Sequence, residues 1–133
     1  MDTYIIDIDK TLCIAEKIND KCDYVNAKPI TKMIDKVNEL KKIGHTIILF
    51  TARGMRTYNE NKKEIEQNIK PVLENWLLRN NVLYDRLIVG KIWGPGNLYY
   101  VDDKNLTLTQ FLNNDSDQHK EILKENTRGI LHD

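Results

Sequence analysis

Asp7 and Asp9 stand two residues apart at the end of a short, β-branched run, Tyr4-Ile5-Ile6-Asp7-Ile8. An extended chain points alternate side chains the same way, so both carboxylates can share one space while Ile8 turns to the core. Three more apolar runs lead into polar sets: Thr51-Ala52-Arg53, Gly90-Lys91 and Asp102-Asp103-Lys104. Singly, each set reads as a turn, a helix cap or a solvated end. Together, four carboxylates, a hydroxyl and a lysine at one edge would repel each other unless a cation and an anion compensated them. A hard cation held by oxygens, Mg²⁺, suits the acids, and a phosphate held by Thr51, Lys91 and backbone N–H groups suits the rest. A carboxylate facing that phosphorus can attack in line. A second one can protonate the leaving alkoxide and then deprotonate the hydrolytic water.

The elements that must position these residues alternate. Tyr4–Ile8 reads as a strand buried on both faces. Ile30, Met33, Ile34, Val37, Leu40 and Ile43 recur at helical steps before Gly44, a C-terminal stop. His45–Thr51 repeats the strand signature, 60–80 is helical, and Pro71 kinks that stretch or begins a second helix. Arg86–Gly90 and Leu98–Asp102 read as third and fourth strands, followed by a short helix over 106–112. This order predicts an α/β fold, a doubly wound, mostly parallel sheet with helices on both faces, whose ligand crevice lies beyond the carboxyl ends of the strands. Residues 1–112 form the core in this reading. Residues 113–133 form a polar tail with helical potential over 119–126.

Composition narrows the function classes. The 133 residues are 41% hydrophobic and 30% charged, which excludes disordered and membrane classes. Twenty Lys+Arg cancel twenty Asp+Glu, removing the electrostatic basis for nonspecific nucleic-acid binding and favouring a small phosphorylated substrate. Cys13 and Cys22 lack metal-type spacing and are too few for a disulfide scaffold. No basic segment precedes an apolar stretch at the N-terminus, so a cytoplasmic location with no membrane partner is expected.

Asp7-Ile8-Asp9-Lys10-Thr11-Leu12, Thr51, Lys91 and Asp102-Asp103, in this order and at these strand ends, resemble the four motifs of the haloacid dehalogenase (HAD) superfamily of phosphohydrolases. Ala27-Lys28-Pro29-Ile30, Gly44-His45 and Phe50-Thr51-Ala52-Arg53-Gly54 further look like its small capsule and lipopolysaccharide biosynthesis phosphatases. The resemblance implies a Rossmann-like core with Asp7 as nucleophile, Asp9 as general acid/base, and Thr51 and Lys91 on the phosphate. It implies Mg²⁺ held by the Asp7 side chain, the Asp9 carbonyl and one of Asp102 and Asp103, with Asp103 preferred as direct ligand. Many members carry Gly where this chain has Lys10.

Neither gap between motifs accommodates a cap domain, so an open cleft is expected, covered by a loop or by another subunit of a homo-oligomer. Arg53 and Trp93 are candidate substrate contacts, Arg53 for an acidic leaving group and Trp93 for stacking on a sugar ring. The segment Asp20–Asn26 is a candidate lid. His45, His119 and His132 are given no ligand role. The expected reaction is hydrolysis of a sugar, polyol or related small phosphate through an aspartyl-phosphate in surface-polysaccharide synthesis. Alternatives are a polynucleotide 3′-phosphatase or nucleotidase, disfavoured by the missing basic stripe, and a phospho-receiver-like signalling domain, which carries its acidic pair after strand one and a lone acceptor Asp after strand three, whereas here DxD comes first and Asp-Asp last.

Overall fold

A computed structural model describes residues 1–131, and the expectation for His132 lies outside them. The chain divides into two compact units, Met1–Trp93 and Gly94–Asp133.

The first unit is built on a parallel sheet of β1 (Thr3–Ile6), β6 (Thr46–Thr51) and β7 (Arg86–Val89), in the order β1-β6-β7. Register pairs Tyr4 with Ile47, Ile6 with Leu49 and Leu49 with Leu87, so Tyr4, Ile6, Ile47, Leu49, Thr51, Leu87 and Val89 share one buried face. The opposite face is less covered, with Ile5 67% exposed and Ile48, Phe50 and Ile88 half-buried. The expectation that Tyr4–Ile8 is buried on both faces is therefore corrected. Burial alternates along β1, as in a sheet with one well-packed side.

Helix α1 (Thr31–Ile43) buries Met33, Ile34, Val37 and Leu40 and ends at Gly44, whose φ of 118° needs no side chain in the way. The 60–80 stretch is two helices, α2 (Lys62–Asn68) and α3 (Lys70–Arg79), with Pro71 in the first turn of the second, where its missing N–H leaves no bond unmade. Ile65 of α2 packs with Met55 and Val89, fixing α2 against the end of β7. Between β1 and α1 lie four two-residue strands: β2 (Cys13–Ile14) pairs β5 (Lys28–Pro29), and β3 (Lys17–Ile18) pairs β4 (Lys21–Cys22). Asn19 and Asp20, both at positive φ, make the tight β3–β4 turn, a geometry suited to these residue types.

The second unit contains α4 (Leu108–Asn113) and α5 (Ser116–Leu131). Thr107 and Gln110 form a capping box on α4. Phe111 stacks on His119 at 5.7 Å, and His119 Nε2 lies 3.1 Å from the Phe111 carbonyl. The helix expected over 119–126 is thus longer than its apolar pattern indicated. The fourth strand expected at Leu98–Asp102 is absent: the segment is irregular and exposed, because a β-propensity run becomes a strand only with a neighbouring strand to pair with. No helix among the described residues is long and apolar enough to cross a membrane.

Candidate functional site

Parallel strands bring their carboxyl ends to one edge, and in the first unit these ends carry Asp7, Asp9, Thr51, Arg53 and Lys91. The chain leaving β1 turns tightly. Leu12 N–H donates to the Ile8 carbonyl at 2.8 Å, and Lys10 N–H to the Cys13 carbonyl at 2.8 Å. Lys10 sits at φ 64°, the left-handed region where a β-carbon is strained.

Asp7 lies 3.7 Å from Lys91 Nζ. Burial pushes its carboxyl above the usual range, partly opposed by the Ile8 N–H bond and by the Lys91 charge. Lys91 is held where β7 ends, its N–H donating to the Thr51 carbonyl at 3.1 Å. The Thr51 hydroxyl is buried and accepts from Arg53 N–H at 3.0 Å, fixing the turn that aims Arg53 back into the unit.

Arg53 is itself buried, its side chain only 2% exposed. Its guanidinium forks onto Asp9, Nε to Oδ2 at 3.2 Å and Nη2 to Oδ1 at 2.7 Å, and lies 4.0 Å over the Tyr24 ring. Bidentate pairing plus ring stacking gives Asp9 one orientation. Arg53 thus faces Asp9 and Tyr24, where sequence offered it as a substrate contact. Cys13 lies 3.7 Å from Asp9 Oδ1, and burial, with the Asp9 charge, raises its thiol to about 11, keeping it neutral. Tyr24, raised to about 12 by burial and by its hydrogen bond with Cys22, also stays neutral.

Two acids face two bases at this edge, so the first unit alone is close to charge balance. The repulsion expected among four carboxylates does not arise within it. Asp102 and Asp103 lie in the second unit and are exposed. Asp102 accepts from Lys104 N–H at 2.9 Å, which holds its carboxyl below the usual range, and the Asp103 carbonyl accepts from Asn126 at 3.1 Å. Within the first unit, the Asp7 carboxylate and the Asp9 carbonyl are oxygen donors, the type that suits a hard divalent cation such as Mg²⁺. Trp93, two residues past Lys91, is 38% exposed.

Sequence reasoning missed Tyr24 and Cys13. Tyr24 is the sole aromatic residue between positions 13 and 29, which was the available signal. Nothing in the sequence marks Cys13 as lying beside Asp9.

No family model matches the chain, and no curated protein does. A crystal structure of a structural-genomics target from Vibrio cholerae is similar, with a TM-score of 0.85 and 30% identity over 94% of this chain and 98% of that one. With this identity over nearly the whole of both chains, this protein and the Vibrio cholerae protein belong to one family.

Proposed function

We propose that this protein is a phosphomonoester hydrolase of the HAD type, with a doubly wound core, working through an aspartyl-phosphate on Asp7 and depending on Mg²⁺. The observation that carries the reading is the division of labour between two carboxylates on one loop: Asp7 faces Lys91, and Asp9 is forked by Arg53. A nucleophile needs an open approach and a nearby cation to gather phosphate oxygens. An acid/base needs a fixed direction toward the leaving oxygen. Asp7 attacks phosphorus while Lys91 and Thr51 hold the non-bridging oxygens. Asp9 gives its proton to the leaving alkoxide, then takes one from the water that cleaves the acyl-phosphate, with Arg53 setting its direction in both steps. Mg²⁺, when held by Asp7, the Asp9 carbonyl and the Asp102–Asp103 pair, supplies neutralisation of phosphate charge. Small sugar or polyol phosphates of surface-polysaccharide synthesis are the substrate class, cytoplasmic by that role, with Trp93 at the mouth.

The test is hydrolysis of p-nitrophenyl phosphate with Mg²⁺ and with excess chelator. Turnover stops in chelator, and Asp7→Asn lowers it by about 10³-fold or more. Asp9→Asn accumulates a phosphoryl adduct on Asp7, read by intact mass after an activated substrate. Undiminished turnover in chelator, or in Asp7→Asn, would overturn the reading.

A further inference from the structure

We propose that Leu98–Val101 pairs as a parallel strand with the outer edge of β1 in a second copy of this chain, so that Asp102 and Asp103 of one copy complete the phosphate site of the other. The role of the aspartates rests on the phosphatase reading above; the strand exchange does not.

The acceptor is the outer edge of β1. Among the described residues β1 pairs with β6 alone, and its sequence, Thr3-Tyr4-Ile5-Ile6, carries none of the lysines, prolines or bulges that blunt an edge strand. The donor is Leu98-Tyr99-Tyr100-Val101, four residues of high β-propensity that form no strand, with Tyr99 78% and Val101 95% exposed. Both runs are four residues long and lead directly into aspartate. Aligned at those aspartates, Tyr99 and Val101 fall on the face of Tyr4 and Ile6, the buried face. The most exposed side chains of the donor thereby enter the best-packed side of the acceptor sheet.

Chain length favours a second copy. Only a parallel strand brings Asp102 and Asp103 to the edge that holds Asp7, because an antiparallel one delivers them to the opposite edge. A parallel crossover takes about a dozen residues or more. Here β7 ends at Val89 on the far side of the sheet from β1, and only the eight residues 90–97 precede Leu98. That connection would have to cross three strand spacings and return the length of the sheet. The same eight residues contain Gly94-Pro95-Gly96, a short constrained hinge of the kind that exchanges elements between protomers. Charge agrees: Asp7 and Asp9 are balanced by Lys91 and Arg53, and an added aspartate pair supplies the two negative charges that a divalent cation requires.

Light scattering on the eluting full-length protein measures the assembly. A dimer is expected, and a monomer at tens of micromolar overturns the proposal. The double variant Tyr99→Pro/Tyr100→Pro, which removes ladder N–H groups, becomes monomeric; a dimer that survives it overturns the proposal by showing another interface. Inserting a long Gly/Ser stretch after Gly94 permits the return within one chain and yields a monomer that retains turnover; a dimer unchanged by the insertion counts against the chain-length argument and overturns it. Co-expressing Asp7→Asn with Asp102→Asn/Asp103→Asn gives mixed dimers with one intact site, hence about a quarter of wild-type turnover from a random mixture. No recovery from that pair, with an active wild type, overturns the shared site. An inactive wild type that is nevertheless a proline-sensitive dimer refutes the phosphatase reading and supports the exchange.

Discussion

The runs Thr3–Ile6 and Leu98–Val101 have the same length and similar composition, and both lead into aspartates, yet one is a strand with two buried side chains and the other is irregular. The difference is the neighbour. Thr3–Ile6 lies against β6, whose Ile47 and Leu49 match its Tyr4 and Ile6 in register. The aspartates that follow differ in the same way. Asp9 is forked by a buried arginine, whereas the Asp103 carboxylate is exposed and lies 3.7 Å from the equally exposed Lys104 ammonium. A carboxylate acquires a role when packing fixes its direction, and sequence motif alone does not supply that.

The fixed side of this contrast can be broken most severely at Arg53. Arg53→Ala leaves Asp9 without its fork and Tyr24 without its stacked cation, so turnover on an aryl phosphate falls by about 10²-fold and the melting temperature drops; Arg53→Lys does not restore turnover, because an ammonium cannot make the bidentate contact. Retained activity in the lysine variant would show that Asp9 needs charge and not direction. Asp7→Asn sharpens the comparison from the stability side. Below the ordinary carboxylate pKa, Asp7 is protonated folded or unfolded and costs nothing. As pH rises from that ordinary value to the raised folded one, the unfolded chain releases its proton while the folded chain still holds it, so stability falls across that window and stays lower above it. Asp7→Asn in metal-free buffer therefore melts higher at pH 7 and shows a flatter pH dependence by scanning calorimetry, an increment absent at pH 3. The smallest effect is at the turn: Lys10→Gly relieves left-handed strain and stabilises by about 0.5 kcal/mol in urea titration, with turnover retained.

The sheet and α1 were legible because their signals are local. Ile47 and Leu49 sit in a β-branched run, and Leu40 and Gly44 mark a helix end. The loop carrying Asp7 and Asp9 was legible because spacing alone puts two carboxylates on one side of an extended chain. Arg53 was legible in position but not in direction, since the Thr51 hydroxyl that turns it inward acts through a backbone bond. Tyr24 lay beyond reach for a different reason: it meets Arg53 from 29 residues away, through a small sheet whose strands are two residues long and leave no periodic trace. Leu98–Val101 misled because propensity names a capacity that only a partner strand realises.

The 13–29 segment is tied to α3 by Trp76, whose indole N–H donates to the Ala27 carbonyl at 2.9 Å, and by Arg79, which donates to the Val25 carbonyl at 2.8 Å. Both anchors grip backbone, so they are indifferent to the side chains of the segment. Tyr24 beside them stays seated on Arg53, while the turn at Asn19-Asp20 projects with Lys17, Ile18 and Lys21 exposed. The exposed residues of that turn can therefore change without unseating Tyr24 from Arg53.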